Sequence, residues 1–134
     1  EYAAAILKKM PADWSGDELA DDLIKNHSCH TLSYILDYTS AVKHPQWMSD
    51  AIDNGDADIV SEMYLKLPDT EVTAQAEKIY QNMCNAKTDM AKLRHITVFE
   101  VFRPDLPADV IKSYYERAID DGEQVFMRYY EIKL

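Results

Sequence analysis

The chain reads as all-α, built from stacked antiparallel helix pairs in the manner of an α-solenoid, with about nine helices and little or no strand. Three observations predict this. Its 134 residues include only 3 Gly and 5 Pro, and these fall between segments rather than inside them. Apolar residues within the segments recur at three- and four-residue spacing, and no segment alternates as a half-buried strand does. The phrase Ala51-Ile52-Asp53-Asn54-Gly55-Asp56 also returns 67 positions later as Ala118-Ile119-Asp120-Asp121-Gly122-Glu123. Each copy leads into a run that ends in Lys-Leu, at Lys66-Leu67 and Lys133-Leu134. A repeat of this size marks units that bury their faces against one another.

Glu1 to Met10 reads as an Ala-rich helix with Ile6, Leu7 and Met10 on one side, stopped by Pro11. Asp13 or Ser15 is placed to cap a second helix carrying Leu19, Leu23 and Ile24. After a break at His27-Ser28 comes a helix with Leu32, Ile35 and Leu36. His44-Pro45 opens one bearing Trp47, Met48, Ala51 and Ile52. Gly55 ends it, and Asp56 is placed to cap the next, which carries Ile59, Val60, Met63 and Tyr64. Pro68 closes that helix, and Asp69 or Thr70 opens a longer one through Ile79, Tyr80 and Met83. A turn over Asn85 to Thr88 precedes a helix through Leu93, Ile96 and Val101, broken at Arg103-Pro104. Pro107 suits the first turn of a helix carrying Val110, Ile111, Tyr114, Tyr115 and Ala118. Gly122 breaks it, and the last helix holds Val125, Phe126, Tyr129 and Ile132. Turns of two or three residues join the helices of a pair, and links with Pro and Asp join the pairs. The first segment reads as the second helix of a pair whose first helix is absent. Residues 1–134 are therefore expected to form a single helical repeat domain, a C-terminal fragment of a longer protein.

These residues resemble the ankyrin repeat, whose first-helix end, turn and second helix follow the pattern A-A-x-x-G-H-x-x-I-V-x-x-L-L. Ala51 and Ile52 occupy the paired small or apolar positions, Gly55 the turn, Ile59 and Val60 the I-V pair, and Met63 and Tyr64 the L-L pair. Ala118, Ile119, Gly122, Phe126, Met127 and Tyr130 form another copy. Leu23, Ile24, His27, Thr31, Leu32, Ile35 and Leu36 form a third, and the register of a fourth near Met83 to Ile96 is ambiguous. A small residue lets two helices approach, and Gly accepts the left-handed turn. The T-P-L-H opening of the family is missing throughout, and Pro-containing links stand where its hairpins belong. The resemblance implies a protein-binding scaffold without catalytic residues. By analogy, such degenerate arrays serve as targeting modules beside a separate enzymatic domain in bacterial effector proteins.

The formal charge of −10 argues against direct nucleic-acid binding and against an anionic membrane surface. No apolar run approaches a membrane span. Two cysteines, Cys29 and Cys84, are too few for a disulfide framework and fit free thiols in a reducing compartment. That points to cytoplasm, of the producing cell or of a host for a secreted effector.

Chemistry-bearing motifs are sparse. His27-Ser28-Cys29-His30 is dense in metal-capable side chains, but no C-x-x-C or H-x-x-x-H pair completes a zinc set. Asp53 to Asp58 fits no EF-hand register, because Gly55 and Ala57 fall where ligands belong. Cys84 and His95 form a nucleophile–base pair only in outline, with no activating charge beside Cys84 in sequence. Phosphate-loop, dinucleotide and hydrolase motifs are absent. The expectation is therefore no enzyme, no cofactor and no metal. In a stack, equivalent turns line up, which would gather Asp53, Asp56, Asp120, Asp121 and Glu123 on one acidic edge. With Trp47 and Tyr115 as aromatic anchors, that edge suits a protein partner with a basic surface. The alternative reading is a small acidic inhibitor, or nucleic-acid mimic, occupying a basic groove.

Overall fold

The structure, a computed structural model, describes residues 2–67 and 70–133. Among these residues there is no strand, and nine helices succeed one another. They are α1 (Tyr2–Leu7), α2 (Asp17–Lys25), α3 (Leu32–Ile35), α4 (His44–Asn54), α5 (Ala57–Lys66), α6 (Val72–Asn85), α7 (Asp89–Phe102), α8 (Ala108–Asp121) and α9 (Gln124–Lys133). The chain divides into two compact units, residues 1–70 and 71–134.

In the first unit, α2 and α3 form one pair and α4 and α5 the next. Like packs on like: α2 lies against α4, α3 against α5, and α1 against α3. The interface is apolar, with Ala20, Ile24, Leu32, Ile35, Met48, Ala51, Ile52, Ile59, Val60 and Met63 all buried. Gly16 sits where an added Cβ would meet Ile35 Cγ2 at 3.0 Å, so its missing side chain lets the α2 start close on α3.

In the second unit, α6 pairs with α7, α8 pairs with α9, and α7 packs on α9. Here the core is aromatic. Phe99 meets Tyr114, Phe126 and Tyr130 edge-on, with centroids 5.5, 5.7 and 5.9 Å away, and Phe126 stacks on Tyr130 at 4.6 Å. Each such pair adds about 0.5–1.5 kcal/mol beyond the area it buries.

The repeated phrase has the same backbone in both units. Gly55 (φ 71°, ψ 29°) and Gly122 (φ 73°, ψ 25°) take the left-handed conformation just past α4 and α8. Asp56 N–H donates to Ala51 O at 3.0 Å and Gly55 N–H to Ile52 O at 3.1 Å; Glu123 and Gly122 do the same to Ala118 and Ile119, at 2.9 and 3.3 Å. This is the Schellman closure of a helix C-terminus. The third copy closes identically: Ser28 N–H donates to Leu23 O at 2.8 Å and His27 N–H to Ile24 O at 3.1 Å, with His27 at φ 56°. The fourth copy does not form, since α6 ends with Ala86 extended (φ −68°, ψ 143°).

The structure corrects several local expectations. The first helix stops at Leu7, where Lys9 and Met10 bond three residues back to Ile6 and Leu7 and tighten the chain before Pro11 arrives. Gly16 holds the N-cap position of α2, while Ser15 Oγ, one residue earlier, accepts the first helical amide, Asp17 N–H, at 3.2 Å; the helix buries Ala20 and Ile24 instead of Leu19. The α2–α3 turn is longer than three residues, because a second left-handed residue, Thr31 (φ 63°), delays α3 until Leu32. Asp56 occupies the N-cap position of α5 without capping it. Thr88 does cap α7, its Oγ1 accepting Ala91 N–H at 3.1 Å. Leu93 is exposed, and α7 buries Ile96, Val98, Phe99 and Phe102. Pro68 and Asp69 lie outside the described residues, and α6 starts at Val72.

Candidate interaction surface

Three of the five acids expected on an open edge are bonded within their own units. The His27 Nδ1–H donates to Asp56 Oδ2 at 2.7 Å, and the Asp56 side chain is only 10% exposed. Lys92 Nζ donates to Glu123 Oε2 at 2.8 Å, with Glu123 17% exposed. The same ammonium reaches Met83 O and Cys84 O at 3.2 and 3.3 Å, so it also satisfies carbonyls at the α6 C-terminus, where positive charge is favoured. Tyr80 Oη donates to Asp121 Oδ2 at 2.7 Å. Each acid near a turn meets a donor of the adjoining helix pair: a histidine for Asp56, a lysine for Glu123 and a tyrosine hydroxyl for Asp121. Asp53 and Asp120 stay exposed at equivalent places in the last turns of α4 and α8.

The aromatic anchors fare differently. Trp47 is 3% exposed and points its Nε1–H toward Asp21 Oδ1 at 3.4 Å, so it belongs to the core of the first unit and not to a partner-facing surface. Its α4 face is the one that must cover α2, which is why an aromatic there is consumed by packing. Tyr115 is half-buried, and its Oη donates to Glu131 Oε1 at 3.3 Å.

Sequence reasoning missed the charged cluster between α6 and α8. Arg117 donates from both terminal nitrogens to Glu77, at 2.7 and 3.0 Å, and its guanidinium lies 4.6 Å above the Tyr80 ring. Tyr114 Oη also donates to Glu77, at 3.2 Å. The Arg117 hydrogen bonds, ahead of those from Gln81 and Tyr114, hold the Glu77 carboxyl down to about 2. Burial, then the Glu77 charge, pushes Tyr114 up to about 12. Residues 40 apart in sequence give no periodic signal of such a meeting. The cluster closes on itself, which suits a fastening between helices better than a ligand site.

Burial also raises the Cys84 thiol, away from the thiolate that a nucleophile requires. Beside the α9 start, an open hollow of about 270 Å³ is lined by Asp89, Lys92, Glu123 and Arg128 among others, two acids against two bases. Among the described residues, no three His, Cys, Asp or Glu gather as a metal would require. No described helix is long and apolar enough to cross a membrane.

Acidic charge is concentrated in the first unit. Residues 1–70 carry 13 acidic side chains against 5 lysines and no arginine, a formal charge of −8, whereas residues 71–134 carry 11 acids and 9 bases. Because α2 lies against α4, their outward acids share one face. Glu18, Asp22 and Asp53 are exposed there, and Asp50 is half-buried. Lys25 ties into the same face through Asp21 at 2.9 Å, and Asp21, then Asp22 and Asp50, favour its charged form. Asp17 is half-buried and accepts Ser40 N–H at 2.7 Å.

No protein-family model matches the chain, and no curated protein or solved structure resembles it at a significant level.

Proposed function

We propose that the chain is a noncatalytic protein-interaction domain of ankyrin-like stacked helix pairs, and that it recognises a basic protein surface through the acidic face of α2 and α4. The observation that carries this reading is the charge imbalance of residues 1–70, whose exposed acids Glu18, Asp22 and Asp53 fall on neighbouring helices. Like-signed charge on one face raises the encounter rate with an oppositely charged partner and fixes its orientation. The solenoid reading draws support from the packing of like helix on like in the first unit and from the three identical Schellman turns. A scaffold of this kind holds its surface rigid, which lowers the ordering cost of binding.

Affinity capture with the wild-type chain and with a Glu18→Lys, Asp22→Lys, Asp53→Lys variant tests the proposal. The variant keeps its helical circular dichroism and loses a set of basic partners that salt also releases from the wild type. Equal capture of those partners by both proteins overturns the acidic-face reading. Displacement of every captured partner by DNA would favour mimicry of a nucleic acid instead.

A further inference from the structure

Resting on the acidic-face reading, we propose that the Leu19–Leu23 flank of α2 seats an amphipathic helix of the partner, apolar on one side and bordered by Lys or Arg. The geometry starts from Ala20 and Ile24, which face the core of the first unit and are buried. Asp21 and Leu19 sit one residue either side of Ala20, so they project about 100° away in opposite senses around the helix. On the Asp21 flank α4 is the neighbour: Trp47 of α4 reaches Asp21, whose side chain stays 40% exposed. The Leu19 flank is partly open: Leu19 is 43% exposed, and Leu23, one turn on, is half-buried.

An open apolar flank on an inner helix of a stack is a position where one more helix fits. Within this unit α2 packs on α4 and α3 on α5. Charge complementarity selects the occupant. Glu18 and Asp22 are exposed on the outward side of α2, between the Leu19 flank and the α4 side. A helix resting on Leu19 and Leu23 brings its own border against these two carboxylates. Lys or Arg at that border gains from them, whereas Asp or Glu is repelled. Leu19 and Leu23 are four residues apart, which calls for apolar residues at three- and four-residue spacing on the incoming helix.

The test uses the whole chain and two synthetic helices of about four turns, one of Leu and Lys and one of Leu and Glu, followed by fluorescence anisotropy. The Leu/Lys helix binds the wild type, and the Leu/Glu helix binds at least tenfold more weakly. Leu19→Ser weakens Leu/Lys binding about tenfold, the loss expected from one apolar contact, while Leu65→Ser on the exposed face of α5 leaves it unchanged. If Glu18→Lys with Asp22→Lys abolishes binding but Leu19→Ser does not, the seat is wrong and the acidic face stands. If neither change matters, both readings fail. If sedimentation shows a dimer of the chain that Leu19→Ser dissolves, the flank belongs to a second copy, and the proposal is overturned.

Discussion

Glu123 takes from Lys92 the contact that Asp56, 67 positions earlier, takes from His27. In each unit the acid that follows the turn glycine accepts a hydrogen bond from a basic side chain of the preceding helix pair. The two bases differ in type and in place: His27 stands on the α2–α3 turn itself, and Lys92 in the first turn of α7. What is shared is the acceptor. An acid past the turn thus fastens one pair to the next.

Removing that acid is expected to loosen its unit. Asp56→Ala and Glu123→Ala should each cost about 1.5–3 kcal/mol, the range for a hydrogen bond to a charged group. Asp120→Ala, at an exposed position, should stay within about 0.5 kcal/mol. Urea denaturation distinguishes them, and equal midpoints for Glu123→Ala and Asp120→Ala would contradict the fastening role.

The turn glycines should be sensitive through their backbone alone. A Cβ added at Gly122 meets nothing within 4 Å, so Gly122→Ala isolates the strain of φ 73°. The expected loss is about 1–2 kcal/mol, with Gly122→Asn losing less, because Asn tolerates the left-handed region. Thermal unfolding of the two variants should rank them in that order.

The two copies of the phrase part company at their second letter. Ile52 is fully buried, whereas Ile119 is 47% exposed. Ile52→Ala should therefore cost about 2–5 kcal/mol, and Ile119→Ala less than about 0.5 kcal/mol. Similar losses from both substitutions, measured by denaturant titration, would refute the difference in packing.

Acid should weaken the second unit through Glu77. Its pKa falls from 4.5 to about 2 on folding, so the unfolded chain binds its proton first as pH drops. The stabilisation is complete above about 4.5 and is lost as pH falls through about 2. Glu77→Gln should flatten the stability profile across that window. Because Glu77 and Arg117 are each more than a third exposed, salt should shrink the effect.

Much of the fold was legible in the residues. Helical spacing located all nine described helices, and turn chemistry located the closures at Gly55 and Gly122, and even at His27, which lacks the glycine. Faces were read less well where two flanks of one helix are apolar. Leu19 reads as core from its spacing to Leu23 and Ile24, yet α2 buries the small Ala20 with Ile24 and leaves Leu19 exposed. The candidate surface was legible only in part: the acids were visible, but not which of them a neighbouring pair captures.

By itself, the sequence determined the helical class, the repeated turn and the acidic character of the chain, because spacing, glycine placement and charge are local properties. Tertiary structure alone decided that Asp56, Asp121 and Glu123 bond inward, that Trp47 is core, and that Leu19 faces out. Those outcomes depend on which helices become neighbours, and partners such as Glu77 and Arg117 meet only after the chain between them has folded back.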